Sequence, residues 1–172
     1  TMGMEQYGII GLKLGHSFSK NYFNEKFKNE NIDAVYVNYE ISNIEDIFEI
    51  IASNPDLKGL NVTIPYKEQI IPYLDEVTPE ATTIGAVNVV KIAHQGSKTI
   101  LKGFNSDVVG FTQSIEPLLE RVHKKALILG TGGSAKAIAF GLKSLGLEVL
   151  FVSRTPQVNA ITYSEVTEDI IK

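Results

Sequence analysis

The stretch Lys58–Lys67, KGLNVTIPYK, brings an amide, a hydroxyl and an amine into ten residues. Side chains alternate along an extended chain, so Leu60, Val62 and Ile64 share one face while Asn61 and Thr63 share the other. Pro65 removes a ladder donor and ends the strand, which delivers Lys67 to its C-terminal end. In α/β sheets that edge is where ligands bind. Three more polar clusters fall at comparable strand ends: His16-Ser17-Phe18-Ser19, Asn88 within GAVNVV, and Asn105-Ser106-Asp107. Pooled, they offer hydroxyls, amides, one ammonium and one carboxylate. That inventory suits a small molecule carrying several hydroxyls and a carboxylate, and it lacks aromatics to stack on a sugar face or a base. Plainer roles stand beside each one. Ser17, Ser19 or Asp107 can cap a helix, Asn61 and Asn88 can satisfy turn backbone, and Lys67 can be a solvated surface lysine.

A second chemistry-bearing run is Gly130-Thr131-Gly132-Gly133-Ser134-Ala135, which fits G-x-G-x-x-[GA]. It lies between the strand-like ALIL and the helix-like SAKAIAFGLKSLG. Glycine there lets the backbone turn tightly and approach a pyrophosphate, while the helix start presents free N–H groups. The next strand ends in Ser153-Arg154-Thr155. An NAD site commonly places a carboxylate at this point for the ribose 2′-hydroxyl, whereas an arginine suits the 2′-phosphate of NADP. The sequence therefore favours NADP. The alternatives are a glycine turn with no ligand and an arginine that is merely solvated.

These residues need elements to hold them. Glu5–Leu12 predicts a strand, and Phe18, Tyr22, Phe23 and Phe27 recur at helical spacing. AVYVNYEI alternates as a strand. SNIEDIFEIIASN predicts a helix behind an Asn43 cap, with Ile44, Ile47, Phe48 and Ile51 on one face. A strand over Gly59–Ile64 follows, then short helical pieces broken by Pro72 and Pro79, then a hairpin of AVNVVKIA and TILKGFN turning at HQGSK. A helix from Asp107, with Val108, Phe111, Ile115 and Leu119 on one face, ends or kinks at Pro117. The expected organisation is α/β: an N-terminal substrate-binding and catalytic domain over residues 4–106, a linking helix over 107–121, and the first part of a Rossmann-like NADP-binding domain over 122–172.

The bulk numbers exclude several classes. The chain has 172 residues, 44% hydrophobic and 21% charged, with a net charge of −4 and no cysteine. No basic face is available for a phosphate backbone, so nucleic acid is not an expected partner. Three dispersed histidines without cysteine form no local metal motif, and no apolar run approaches membrane-spanning length. We expect a cytoplasmic protein without metal or membrane, either monomer or homodimer.

In order along nearly the whole chain, GHSFS, NVTIPYK, GAVN, GFNSDVVG, GTGGSAKA and SRT resemble the motifs of the shikimate dehydrogenase family. The resemblance implies NADPH-dependent, reversible reduction of 3-dehydroshikimate to shikimate. It implies that Ser17, Ser19, Asn61, Thr63 and Asn88 hold the substrate's carboxylate and hydroxyls, and that Lys67 and Asp107 are the catalytic pair. Gly130, Thr131, Gly132, Gly133 and Ser134 would take the pyrophosphate, and Ser153, Arg154 and Thr155 the adenosine 2′-phosphate. The chain departs from the family pattern at Lys13, Lys20, Ser106 and Ser153, where the family usually has proline, proline, threonine and asparagine. A dinucleotide domain normally has two βαβαβ halves, and only the beginning of the first is present. The expectation is a fragment that binds substrate weakly and turns over poorly or not at all. Rival readings are an NAD-using quinate/shikimate dehydrogenase and a noncatalytic small-molecule-binding module. Arg154 speaks against the first, and the joint presence of Lys67 and Asp107 against the second.

Overall fold

The computed structural model describes residues 3–15 and 18–172. They form two compact units, one running through Thr83 and resuming over Val87–Phe104, the other made of Ile84–Ala86 with Asn105–Lys172.

The first unit runs β1 (Glu5–Gly11), α1 (Phe18–Asn29), β2 (Ala34–Glu40), α2 (Asp46–Ser53), β3 (Leu57–Val62), α3 (Tyr66–Gln69), a 3₁₀ turn (Ile71–Tyr73), β4 (Glu76–Val77), α4 (Pro79–Ile84), β5 (Val89–Gln95) and β6 (Lys98–Phe104). Its sheet has the order β2-β1-β3-β5-β6-β4. β1 lies parallel to β2 and β3, while β3, β5 and β6 run antiparallel in turn. The expected hairpin closes at the Gln95–Lys98 pair. One face of the sheet supplies Ile10, Leu60, Val62, Val90, Ile92 and Leu101 to the core, against Ile44, Ile47, Tyr66 and Ile70 from the covering segments. Burying such side chains completely stabilises the fold by about 1.5–3 kcal/mol each.

Two boundaries differ from the sequence reading. β3 is Leu57–Val62 rather than Gly59–Ile64. Thr63 still donates to the Ile10 carbonyl at 3.0 Å, but Pro65 has no N–H with which to continue the ladder. α2 begins at Asp46, not after an Asn43 cap. Asn43 instead closes a turn, its carbonyl accepting the Asp46 N–H at 3.1 Å and its own N–H donating to the Asp46 carboxylate at 3.4 Å.

The second unit runs α5 (Asp107–Ile115), a 3₁₀ turn (Glu116–Leu118), β7 (Lys125–Leu129), α6 (Gly133–Ser144), β8 (Glu148–Ser153), β9 (Ala160–Thr162), a 3₁₀ turn (Tyr163–Glu165) and α7 (Glu168–Ile171). Pro117 lies in the turn that ends α5, as its missing donor requires. The strands are parallel in the order β7-β8-β9. The βαβ unit expected around the glycine turn is therefore present. Ile128, Ala135, Ala139, Leu142 and Leu147 form its core, with Phe111 and Leu119 packed against it. Among the described residues no helix is long and apolar enough to cross a membrane, and no acidic or histidine cluster could hold a metal ion.

Candidate functional site

The first unit gathers polar groups around the end of β3. Leu60 and Val62 are buried in the core, and Asn61 and Thr63 stand half-buried on the opposite face, as the alternation predicts. Gly11, at the end of β1, is what lets Thr63 lie close. A Cβ there would fall 2.7 Å from Thr63 Cγ2 and 2.7 Å from Leu14 Cδ2, far inside normal contact. Lys67 sits half-buried in the single turn of α3, and its carbonyl accepts the Val87 N–H at 2.8 Å. Asn88 follows directly. It is 8% exposed, its carbonyl accepts the Val62 N–H at 2.8 Å, and its N–H donates to the Phe104 carbonyl at 3.0 Å. The backbone thus strings Asn88 between β3 and β6, and brings Asn61, Thr63, Lys67 and Asn88 to one edge.

Ser17, with His16, lies outside the described residues. Ser19 falls inside α1 and does not cap it. Its hydroxyl hydrogen-bonds the phenol of Tyr36, and Tyr36 Oη donates to Asn61 Oδ1 at 2.7 Å. Tyr36 is 3% exposed, and burial pushes its hydroxyl up to about 12, the Ser19 hydrogen bond acting in the opposite sense. Glu40, at the end of the same strand, accepts the Leu14 N–H at 2.9 Å and the Gly15 N–H at 3.3 Å. One carboxylate thereby holds the backbone of Leu14 and Gly15, next to Lys13. Neither Tyr36 nor Glu40 was among the expected site residues. The signal was present in AVYVNYEI, whose period of two puts Tyr36, Asn38 and Glu40 on one face. Asn38 Oδ1 is buried and has no hydrogen-bond partner among the described residues. An apolar groove of about 690 Å³, lined by Tyr7, Phe23, Phe27 and Tyr36 among others, includes Asn61 but not Thr63, Lys67 or Asn88, so it is not the gathering point.

In the second unit Asp107 opens α5 half-buried. The capping role offered for Asp107 falls to Asn105, whose Oδ1 accepts the Asp107 N–H at 3.0 Å and the Val108 N–H at 3.4 Å while Nδ2 donates to the Ala86 carbonyl at 3.1 Å. The glycine turn lies between β7 and α6 as expected. Gly130 has φ +128°, a conformation that favours glycine, and its N–H donates to the Val152 carbonyl at 2.9 Å. Gly132 precedes the helix in extended conformation, and a Cβ on it would project into open space. Thr131 bridges the two glycines, and Gly133 and Ser134 form the first turn of α6. A cleft of about 470 Å³ brings Gly130 and Thr131 together with Ser153, Arg154 and Thr155, and adds Gln157 and Tyr163, which sequence reasoning missed. Ser153 is buried and receives the Thr155 N–H at 3.3 Å. Arg154 is exposed, and no described carboxylate lines the cleft. Open glycines at a helix start, hydroxyls and one guanidinium fit a phosphorylated dinucleotide.

Residues 9–90 match the shikimate dehydrogenase substrate binding domain. A shikimate dehydrogenase (NADP(+)) from Caldicellulosiruptor saccharolyticus is 38% identical over 98% of this chain. The crystal structure of shikimate dehydrogenase 1 from Peptoclostridium difficile superposes with a TM-score of 0.78 at 36% identity, over 92% of this chain and 60% of that one. The shikimate 5-dehydrogenase of Thermus thermophilus in complex with NADP(H) and shikimate gives a TM-score of 0.76 at 32% identity, over 91% of this chain and 58% of that one. The chain spans 61% of the length of the Caldicellulosiruptor protein.

Proposed function

We propose, for a chain whose residues 9–90 belong to the shikimate dehydrogenase substrate-binding family, that it serves the NADPH-dependent, reversible reduction of 3-dehydroshikimate to shikimate. The observation that carries this reading is the edge of β3, where Asn61, Thr63, Lys67 and Asn88 assemble with Ser19 linked to Asn61 through Tyr36. Those groups match a ring bearing a carboxylate and several hydroxyls, since every one of them can bind an oxygen. Ser17, Ser19, Asn61, Thr63 and Asn88 are assigned to the substrate, and Lys67 and Asp107 to the chemistry.

NADPH, when bound, supplies the hydride. The ketone oxygen must then gain a proton as charge develops on it. Lys67, as an ammonium, donates that proton or holds the oxyanion, a role worth roughly 10²–10⁴-fold in rate. Asp107, as a carboxylate, is assigned to accept a hydrogen bond from the reacting hydroxyl. Gly130–Ser134 are assigned to the pyrophosphate, and Ser153, Arg154 and Thr155 to the 2′-phosphate, which favours NADP over NAD.

Calorimetric titration of the chain with shikimate, NADP⁺ and NAD⁺ tests the reading. The expected result is shikimate binding together with a preference for NADP⁺. A folded chain of correct mass that binds no shikimate would sink the substrate assignment.

A further inference from the structure

Ser19 and Asn61, both assigned above to substrate, belong to different elements, α1 and β3. Hydrogen bonds join them through Tyr36, a residue to which the mechanism gives no role. We propose that Tyr36 is a positioning residue of the substrate pocket: its phenol bridges Ser19 and Asn61 and commits the Asn61 carboxamide to meet substrate through its N–H₂ group. The proposal deepens the shikimate reading and rests on it.

The direction follows from proton counting. A phenol has one proton, and Tyr36 gives it to Asn61 Oδ1 at 2.7 Å. The remaining capacity of the Tyr36 oxygen is to accept, and Ser19 is its partner. A primary amide has one acceptor oxygen and one two-proton donor. The hydrogen bond turns the carboxamide oxygen toward Tyr36 and leaves the N–H₂ group to meet substrate, where its donors suit a carboxylate or a hydroxyl oxygen. Burial keeps the Tyr36 proton in place, since an ionised phenol could not donate.

Tyr36 is itself held too firmly for this to be an incidental contact. β1 separates β2 from β3 in the sheet, so at about 4.8 Å per strand the bond spans roughly two strand spacings, a reach that a tyrosine has and a serine or asparagine lacks. Asn24 of α1 clamps the Tyr36 backbone on both sides, accepting its N–H at 2.8 Å and donating to its carbonyl at 3.0 Å. Phe23 stacks on its ring, with centroids 5.0 Å apart and planes 21° from parallel. The backbone, the ring and the hydroxyl are thus each fixed by a different group. Tyr36→Phe removes the last and leaves the first two.

Shikimate affinity is measured by calorimetry on the full chain for the parent, Tyr36→Phe, Asn61→Ala and the double variant, with NADP⁺ affinity and thermal melting on the same samples. Losing the hydroxyl and leaving Asn61 Oδ1 without its donor is expected to weaken shikimate binding roughly 5- to 30-fold, with NADP⁺ affinity unchanged within about twofold. In the Asn61→Ala background the further loss on Tyr36→Phe should fall below about twofold, because the group through which Tyr36 acts is gone. A merely structural role would cost the same in both backgrounds. Equal losses, or a Tyr36→Phe variant that matches the parent, overturns the proposal while the substrate reading stands. A parent that binds no shikimate overturns both, and is seen before any variant is made. Should Tyr36→Phe fail to fold, Ser19→Ala and Asn61→Ala form a second cycle. Losses that fail to add by threefold or more support the bridge, and additive losses refute it.

Discussion

Replacing Asn105 by alanine should unsettle the start of α5, the helix that carries Asp107 at its first position. Asn105 is 9% exposed, and its side chain makes three hydrogen bonds. Its Oδ1 satisfies the N–H groups of Asp107 and Val108, two of the four donors that a helix start leaves without intrahelical partners. Loss of such a cap costs about 0.5–2 kcal/mol. Its Nδ2 satisfies the carbonyl of Ala86, a residue with 0% exposure, and a buried carbonyl stripped of its donor costs about 1–3 kcal/mol. The expected total is about 1.5–5 kcal/mol. Urea denaturation of parent and variant measures it, provided the slope m is unchanged so that a midpoint shift reads as stability. Amide exchange locates it, with the Asp107 and Val108 amides losing protection more than those in the middle of α6. A loss below about 0.5 kcal/mol, or exchange that quickens equally throughout, would refute the assignment of the cap to Asn105.

Three further outcomes follow from the same geometry. Gly11→Ala drives a methyl to within 2.7 Å of both Thr63 Cγ2 and Leu14 Cδ2; the overpacking should cost about 1–3 kcal/mol and weaken shikimate binding measured by titration. Arg154→Ala should reduce NADP⁺ affinity roughly 10-fold or more, the scale of a hydrogen bond to a charged group, and leave NAD⁺ affinity within about twofold; equal losses for the two nucleotides would remove Arg154 from the 2′-phosphate. Burial of Tyr36 raises its hydroxyl from 10.0 to about 12, so its contribution to stability is complete below pH 10 and is lost as pH rises toward 12. At 1.36 kcal/mol per pH unit that loss is about 3 kcal/mol, and equilibrium unfolding across this window should show a shallower decline for Tyr36→Phe.

What could be read in advance divides along physical lines. The strand–turn–helix–strand of the second unit was legible because it is local. Gly130 needs a positive φ, α6 starts after Gly132, and Ser153 to Thr155 end the next strand, all within a run of sequence whose period and punctuation say so. The polar face of β3 was legible for the same reason: alternation separates Asn61 and Thr63 from Leu60 and Val62 without knowledge of any neighbour. The sheet order was not, since β3 joins β1 on one side and β5 on the other through pairings that no single segment encodes. Element boundaries also moved: at Thr63 the pairing with the distant Ile10 carbonyl runs past the end of β3, and at Asn43 a local turn closed with Asp46 takes the place of a helix cap.

The site residues that escaped, Tyr36 and Glu40, show why period alone is insufficient. β2 alternates as plainly as β3, and its second face holds Tyr36, Asn38 and Glu40. A tyrosine in a strand reads as core, because its ring accounts for most of its surface and only its last atom is polar. Here the ring is buried against Phe23 and that last atom reaches over β1 to Asn61. The two polar faces are not independent: the phenol carried by one strand donates to the amide oxygen carried by the other, one strand removed. Parallel pairing of both strands to β1 is what makes this possible, for it aligns their C-terminal ends and turns Tyr36 and Asn61 to the same side of the sheet.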